Sequence, residues 1–206
     1  IRRVDAARVL AGLQVPAVRV GPGTVAGGAA VVGVLSAQVR VVNEQLTTCH
    51  AQLDRLCTAL SRPAEDAEGQ RGEQRDGAIL RSLPGVGRIV LATLLAEASE
   101  PLQARDYHGL RLLSGVAPVT KQSGKRRLVG MRRACAAPLR QALYHWSRTA
   151  VQHDARTQAT YAALRHRGHS HARALRSVGD RLLAVACAML RTGTLYDPAR
   201  RGARAA

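Results

Sequence analysis

The sequence predicts a mainly α-helical protein. Three observations carry that reading: a heptad series of apolar residues from Leu35 to Leu60, a succession of apolar-periodic segments after residue 79 broken by Gly and Pro, and no convincing β-alternation after residue 35. At 46% hydrophobic, the 206 residues are too apolar for a disordered chain and numerous enough for one large domain or two small ones.

Taken in order, residues 2–13 read as a short helix with Val4, Val9, Leu10 and Leu13 on its apolar side. Residues 15–30 are rich in Gly, Pro and Val and read as a loop or irregular connector. Val39, Val42, Leu46, Cys49, Leu53, Leu56 and Leu60 then follow at steps of 3, 4, 3, 4, 3 and 4, and Leu35 extends the series by four. A step averaging 3.5 is that of a coiled-coil seam, between copies or within the chain; the same residues also fit an amphipathic helix packed on its own domain. Residues 61–76 are polar and hold Pro63, Gly69 and Gly72. The expected organisation is a connector through residue 34, a coiled-coil helix over 35–62, a linker over 63–78, a domain over 79–198 and a basic tail over 199–206. Within the domain, helices are expected over 88–98, 106–114 (with Asp106 as cap), 139–152, 155–165 and 172–190. Residues 118–130 read as a basic loop, and Gly168 separates the last two helices.

Charge divides the chain. Residues 1–106 hold 12 basic and 11 acidic side chains, whereas residues 107–206 hold 19 basic and 3 acidic, with no acid between Asp106 and Asp154. A cationic substrate is not expected, and a polyanion is the expected partner of the second half. Of the 31 basic residues 29 are arginine, which a GC-rich genome favours, but such a bias does not remove acids from one half. Cys49, Cys57, Cys135 and Cys187 form no C-x-x-C pair, so neither a zinc site nor a redox motif is indicated, and a reduced cytoplasmic setting fits. The longest apolar run, 25–35, is interrupted by glycine and falls short of the roughly 20 residues of a membrane span, so no membrane partner and no signal peptide are expected. The sequence begins with Ile1 and is read as a fragment with something missing upstream.

Three constellations could carry chemistry. In Leu83-Pro84-Gly85-Val86-Gly87, two glycines at a helix start expose backbone N–H groups, as helix-hairpin-helix modules do toward a DNA phosphate. The same glycines also suit a plain turn that lets two helices approach. Thr120-Lys121-Gln122-Ser123-Gly124-Lys125-Arg126-Arg127, continued by Arg132 and Arg133, holds six cations and no acid. A serine attacking a phosphodiester needs such cations for the charge on the phosphoryl oxygens, and Gly124 admits a close backbone approach; a solvated basic loop with an incidental serine is the plainer alternative. His166, His169 and His171 cluster around Gly168 without a carboxylate or cysteine partner, which favours phosphate contact or exposure over metal. Tyr144 and Trp146 sit on an apolar helix and read as core.

Residues 79–198 resemble the C-terminal domain of the insertion-sequence "one-ten" transposases, DEDD transposases also called bridge recombinases. The order PGVG, GVAP, QSG, Y-x-x-L-x-x-R-G and a closing long helix carries the resemblance. Val4-Asp5-Ala6-Ala7-Arg8 resembles the end of that family's RuvC-like domain, and the heptad helix falls where the family has a coiled coil. The resemblance implies a DNA transposase with Ser123 as nucleophile, DNA or RNA contacts at Gly85, Gly87, Lys121, Gly124, Lys125, Arg126, Arg127, Arg132 and Arg133, and Asp5 as one of four Mg²⁺-binding acids. It implies DNA and a structured guide RNA as partners, a homo-oligomer through the coiled coil, and association with the nucleoid. The other three acids do not precede Asp5 here, so an incomplete and inactive fragment is expected. The alternative is a non-catalytic nucleic-acid binder of the helix-hairpin-helix kind.

Overall fold

The computed structural model describes residues 5–13, 21–60, 72–124 and 126–198. The chain divides into two units, residues 1–50 and 51–206. The described part is mainly helical, in agreement with the predicted class.

In the first unit, helix α1 (Ala6–Leu13) starts on Asp5, whose carboxylate accepts the Ala7 N–H at 3.1 Å while its carbonyl accepts the Val9 N–H. Helix α2 (Pro22–Ala59) opens on a proline, which costs nothing in a first turn because that N–H has no helical partner. Residues 22–30 are therefore helix and not the expected loop. Gly23, Gly27 and Gly28 weaken the helix, yet extending an already nucleated helix adds one hydrogen bond per residue fixed, and the 29 residues beyond Ala30 supply the nucleus. Val39, Val42 and Leu46 of the heptad are each more than half exposed, and Cys49 is exposed. By length and composition α2, which contains the run 25–35, is long and apolar enough to cross a membrane; no residue of its apolar stretch is buried.

The second unit begins in the last turns of α2. There Cys57 is buried at 2% exposure and Leu53 and Leu60 are half-buried, while Leu56 of the expected seam is 61% exposed. The packed face is thus rotated by one residue from the heptad line. Helix α3 (Gly72–Ser82) takes in residues 72–78, which read as linker. Their polarity misleads because Asp76 is buried, at 5% exposure, and holds Arg105 through two hydrogen bonds, Nη1 to Oδ2 at 2.5 Å and Nη2 to Oδ1 at 2.8 Å. The remaining residues 61–71, the tail 199–206 and Lys125 lie outside the described residues.

Helices α4 (Arg88–Glu97), α5 (Ser99–Gln103) and α6 (Tyr107–Ser114) follow. The five-residue α5 is too short for a periodic signal. Asp106 stands at the N-cap of α6 as expected but makes no capping hydrogen bond with its side chain. Residues 118–130 are not a loop: β1 (Val119–Ser123) and β2 (Arg126–Gly130) form an antiparallel hairpin. Neither face of the hairpin is packed on the core, so the sequence carries no alternation of apolar and polar residues that would betray a strand.

Helices α7 (Ala137–His153), α8 (Ala155–His166) and α9 (His171–Thr192) complete the unit. Asp154 caps α8, its carboxylate accepting the Thr157 N–H at 2.8 Å, and Ser170 caps α9. Gly193, at φ +63°, ends α9. The core lies where α7 and α9 meet α3, α4 and α6, with Leu80, Leu91, Leu94, Leu110, Val178 and Leu183 around the fully buried Trp146. Tyr144 departs from its core reading and is 39% exposed.

Candidate nucleic-acid interface

The hairpin positions the candidate serine. Ser123 is the last residue of β1 and pairs with Arg126 across a two-residue connection, Gly124-Lys125. Gly124 has φ +55°, the conformation that a tight hairpin connection demands and that glycine adopts without strain. Opposed residues point to one face, so positions 121, 123, 126 and 128 share a face, while Gln122 and Arg127 lie on the other. The register therefore separates Arg126 from Arg127. Ser123, Arg126 and Arg127 are all exposed, and among the described residues the Ser123 hydroxyl makes no hydrogen bond. A hydroxyl so placed has open access and, among the described residues, no hydrogen-bonded base.

After the hairpin, Arg132 is half-buried with its Nε unpartnered, and Arg133 is exposed. Both lead toward α7 and away from the tip.

The PGVG turn divides into two roles. Gly85 has φ +82°, and a Cβ there would stand 2.7 Å from the Ala150 nitrogen and 3.0 Å from the Trp146 carbonyl oxygen. The Trp146 indole N–H donates to the Pro84 carbonyl at 2.9 Å and fixes the turn on α7. Gly87 instead is exposed at the N-cap of α4, with φ −89° and open space around its α-carbon. Its neighbour Arg88 is ion-paired to Asp54 of α2. Close helix approach is thus the local reason for the first glycine, and only the second faces outward.

One cluster left no mark in the sequence. Asp180 of α9 accepts from Arg111 of α6 at two points, 2.7 and 3.1 Å, and from the Tyr107 hydroxyl at 3.0 Å. The Arg111 guanidinium also lies over the Tyr107 ring, 5.3 Å from its centroid. Burial, with the bond to Asp180 second, pushes the Tyr107 phenol up to about 12. The separation of 69 residues between Arg111 and Asp180 is why no local motif announces it.

The histidines do not converge on a metal. His171 Nδ1 lies 2.7 Å from the Tyr161 hydroxyl, His169 has a buried Nδ1 without a partner, and His166 is exposed. Asp5 caps α1 and is exposed. Among the described residues no group of three or more His, Cys, Asp or Glu could hold an ion, so those present do not fit a Mg²⁺ site.

Residues 77–162 match the model of the transposase family IS116/IS110/IS902. The chain belongs to that family. The matched stretch of this family member contains the PGVG turn, the hairpin and α7. A Streptomyces coelicolor protein assigned as the mini-circle transposase for IS117 is 32% identical over 157 residues, which cover 76% of this chain and 38% of that protein. A 43.6 kDa protein of insertion element IS110 from the same species is 28% identical over 169 residues, 81% of this chain and 38% of its own. A 44.8 kDa protein of insertion element IS116 from Streptomyces clavuligerus is 31% identical over 122 residues, 59% of this chain and 31% of its own. The matches thus span less than two fifths of these relatives' length.

Proposed function

We propose that this chain is the DNA-binding and strand-transferring part of an insertion-sequence transposase, with Ser123 as nucleophile. The observation that carries the reading is the place of Ser123: at the tip of an exposed hairpin, paired with Arg126, inside the family-matched stretch and in a run free of acids from Tyr107 to His153. The Ser123 oxygen attacks phosphorus and forms a phosphoserine ester. The deoxyribose oxygen leaves with the bonding electron pair and takes up a proton, and the serine proton passes to solvent. Arg126, on the same face, offsets the charge that develops on the phosphoryl oxygens, and Arg127, on the other face, holds the adjoining backbone. Rejoining reverses the step on a second DNA end, so no bond energy is lost to hydrolysis. Arg132, Arg133 and the outward N–H groups after Gly87 hold the backbone on either side. Mg²⁺, a guide RNA, an RuvC-like portion ending near Asp5 and a coiled-coil oligomer through α2 belong to the same proposal on the family resemblance. Because one carboxylate does not make the metal site, no step is routed through it.

The test is covalent trapping on a nicked suicide duplex with a full-length transposase carrying this sequence. Ser123→Ala abolishes the protein–DNA adduct and leaves DNA affinity within about twofold, since a neutral side chain adds nothing to the counterion term. Adducts that persist in the alanine protein overturn the assignment and return the chain to the class of non-catalytic binders.

A further inference from the structure

Two cavities lie side by side at the foot of the hairpin, and they differ in chemistry. One, of about 430 Å³, is lined by Arg111, His169, Arg173, Arg176 and Asp180 together with the hairpin end at Val129 and Gly130. The other, of about 220 Å³, is apolar and bounded by Met131, Leu143, Tyr144, Ala172 and Leu175. They share Gly115, Val116, Met131 and Arg176 as a common wall. In the first cavity the charge of Arg111 is taken up by Asp180, but no carboxylate is paired with Arg173 or Arg176 among the described residues. Arg176 Nη1 instead donates to the Met131 sulfur at 3.1 Å, a weak acceptor for a cation. His169 adds a buried, unpartnered Nδ1 to the same wall.

We infer that this paired cavity holds one unstacked nucleotide of a bound strand, with its phosphate on Arg173 and Arg176 and its base in the apolar half against Tyr144. The arrangement matches the two needs of such a nucleotide. The phosphate needs cations not already neutralised, and the base needs an apolar slot with an aromatic wall. At about 220 Å³ the smaller cavity has room for a single ring system. Gly130 pairs with Val119, four residues along β1 from Ser123, so the cleft lies about 13 Å from the candidate nucleophile at ~3.3 Å per residue. A base withdrawn there leaves the neighbouring backbone unstacked and turned toward the hairpin tip. The inference rests on the nucleic-acid reading of the domain but not on the chemistry of Ser123.

The experiment uses the 206-residue chain and a short single-stranded oligodeoxynucleotide carrying one 2-aminopurine, read by its fluorescence and by anisotropy across a salt series. Binding is expected to change the 2-aminopurine emission. Ala172→Phe, at an exposed position on the first turn of α9, fills the apolar half. It should abolish the emission change and weaken binding about tenfold while leaving the salt slope intact. Tyr144→Ala should do the same by removing the wall, and a melt of each variant confirms folding. Arg173→Gln and Arg176→Gln should each lower the salt slope by about 0.7. The emission and anisotropy readouts need no covalent adduct, so that loss of the adduct and loss of the pocket signal are separable. An emission unaltered by binding, an Ala172→Phe protein that still gives the full signal, or arginine variants with the original slope would overturn the inference.

Discussion

Gly85 and Gly87 sit two residues apart in surroundings that differ, and the difference is measurable. Alanine at Gly85 must take a positive φ and place its Cβ against the backbone of α7. The conformation alone costs about 1–2 kcal/mol and the clash adds to it, so Gly85→Ala should lower stability by about 3 kcal/mol in urea unfolding. Gly87→Ala meets open space at an ordinary φ and should change stability by less than about 1 kcal/mol. The same contrast shows what a sequence offers at this scale: both glycines were visible as special, but which one touches Trp146 is a tertiary fact. Tyr107 gives a second test. Its phenol is raised from 10.0 to about 12, so the native state holds that proton more tightly than the unfolded chain. The resulting stability is whole below pH 10 and is lost as the pH climbs toward 12. Tyr107→Phe should lower neutral-pH stability by about 1 kcal/mol and flatten the fall between pH 10 and 12, followed by thermal melts across that window.

At the scale of elements, the long helices were legible because they bury a stripe. The spacing of Leu175, Val178, Leu182, Leu183, Ala186 and Leu190 places one apolar face of α9 on the core. The hairpin was not legible because neither side of it packs on the core, and α5 because five residues make barely more than a turn. In α2 the heptad was legible, but packing in the second unit uses Cys57 in place of Leu56. Upstream of His50 the seam residues stay exposed. If they join two copies, as the coiled-coil proposal holds, then Leu46→Lys should convert a dimer to a monomer in light scattering while the melting of the second unit stays put. Dimers that survive the lysine would show that another surface joins the copies.

Across the molecule, the uneven charge acquires a structural address. Of the three acids in the second half, two are used internally: Asp154 caps α8 and Asp180 holds Arg111 and Tyr107. Arg126 and Arg127 of the hairpin and Arg173 and Arg176 at its foot have no such partner among the described residues, which leaves a surface whose net sign is set by arginine. Composition led to the expectation of a polyanion, and the family resemblance singled out Ser123. Neither could reveal the paired cavity, because its walls come from α6, the hairpin exit, α7 and α9 at once.

The hairpin packs on almost nothing, and that has a consequence for how this domain can vary. Apart from half-buried Val119, every described side chain of its strands is exposed, so changes there draw little from the folding free energy of the helical body. With the nucleophile proposed at the tip, selection can therefore alter the tip residues for a new target or a new rate without first securing a compensating change in the core. Fold and reactivity, in this arrangement, are free to evolve on separate clocks.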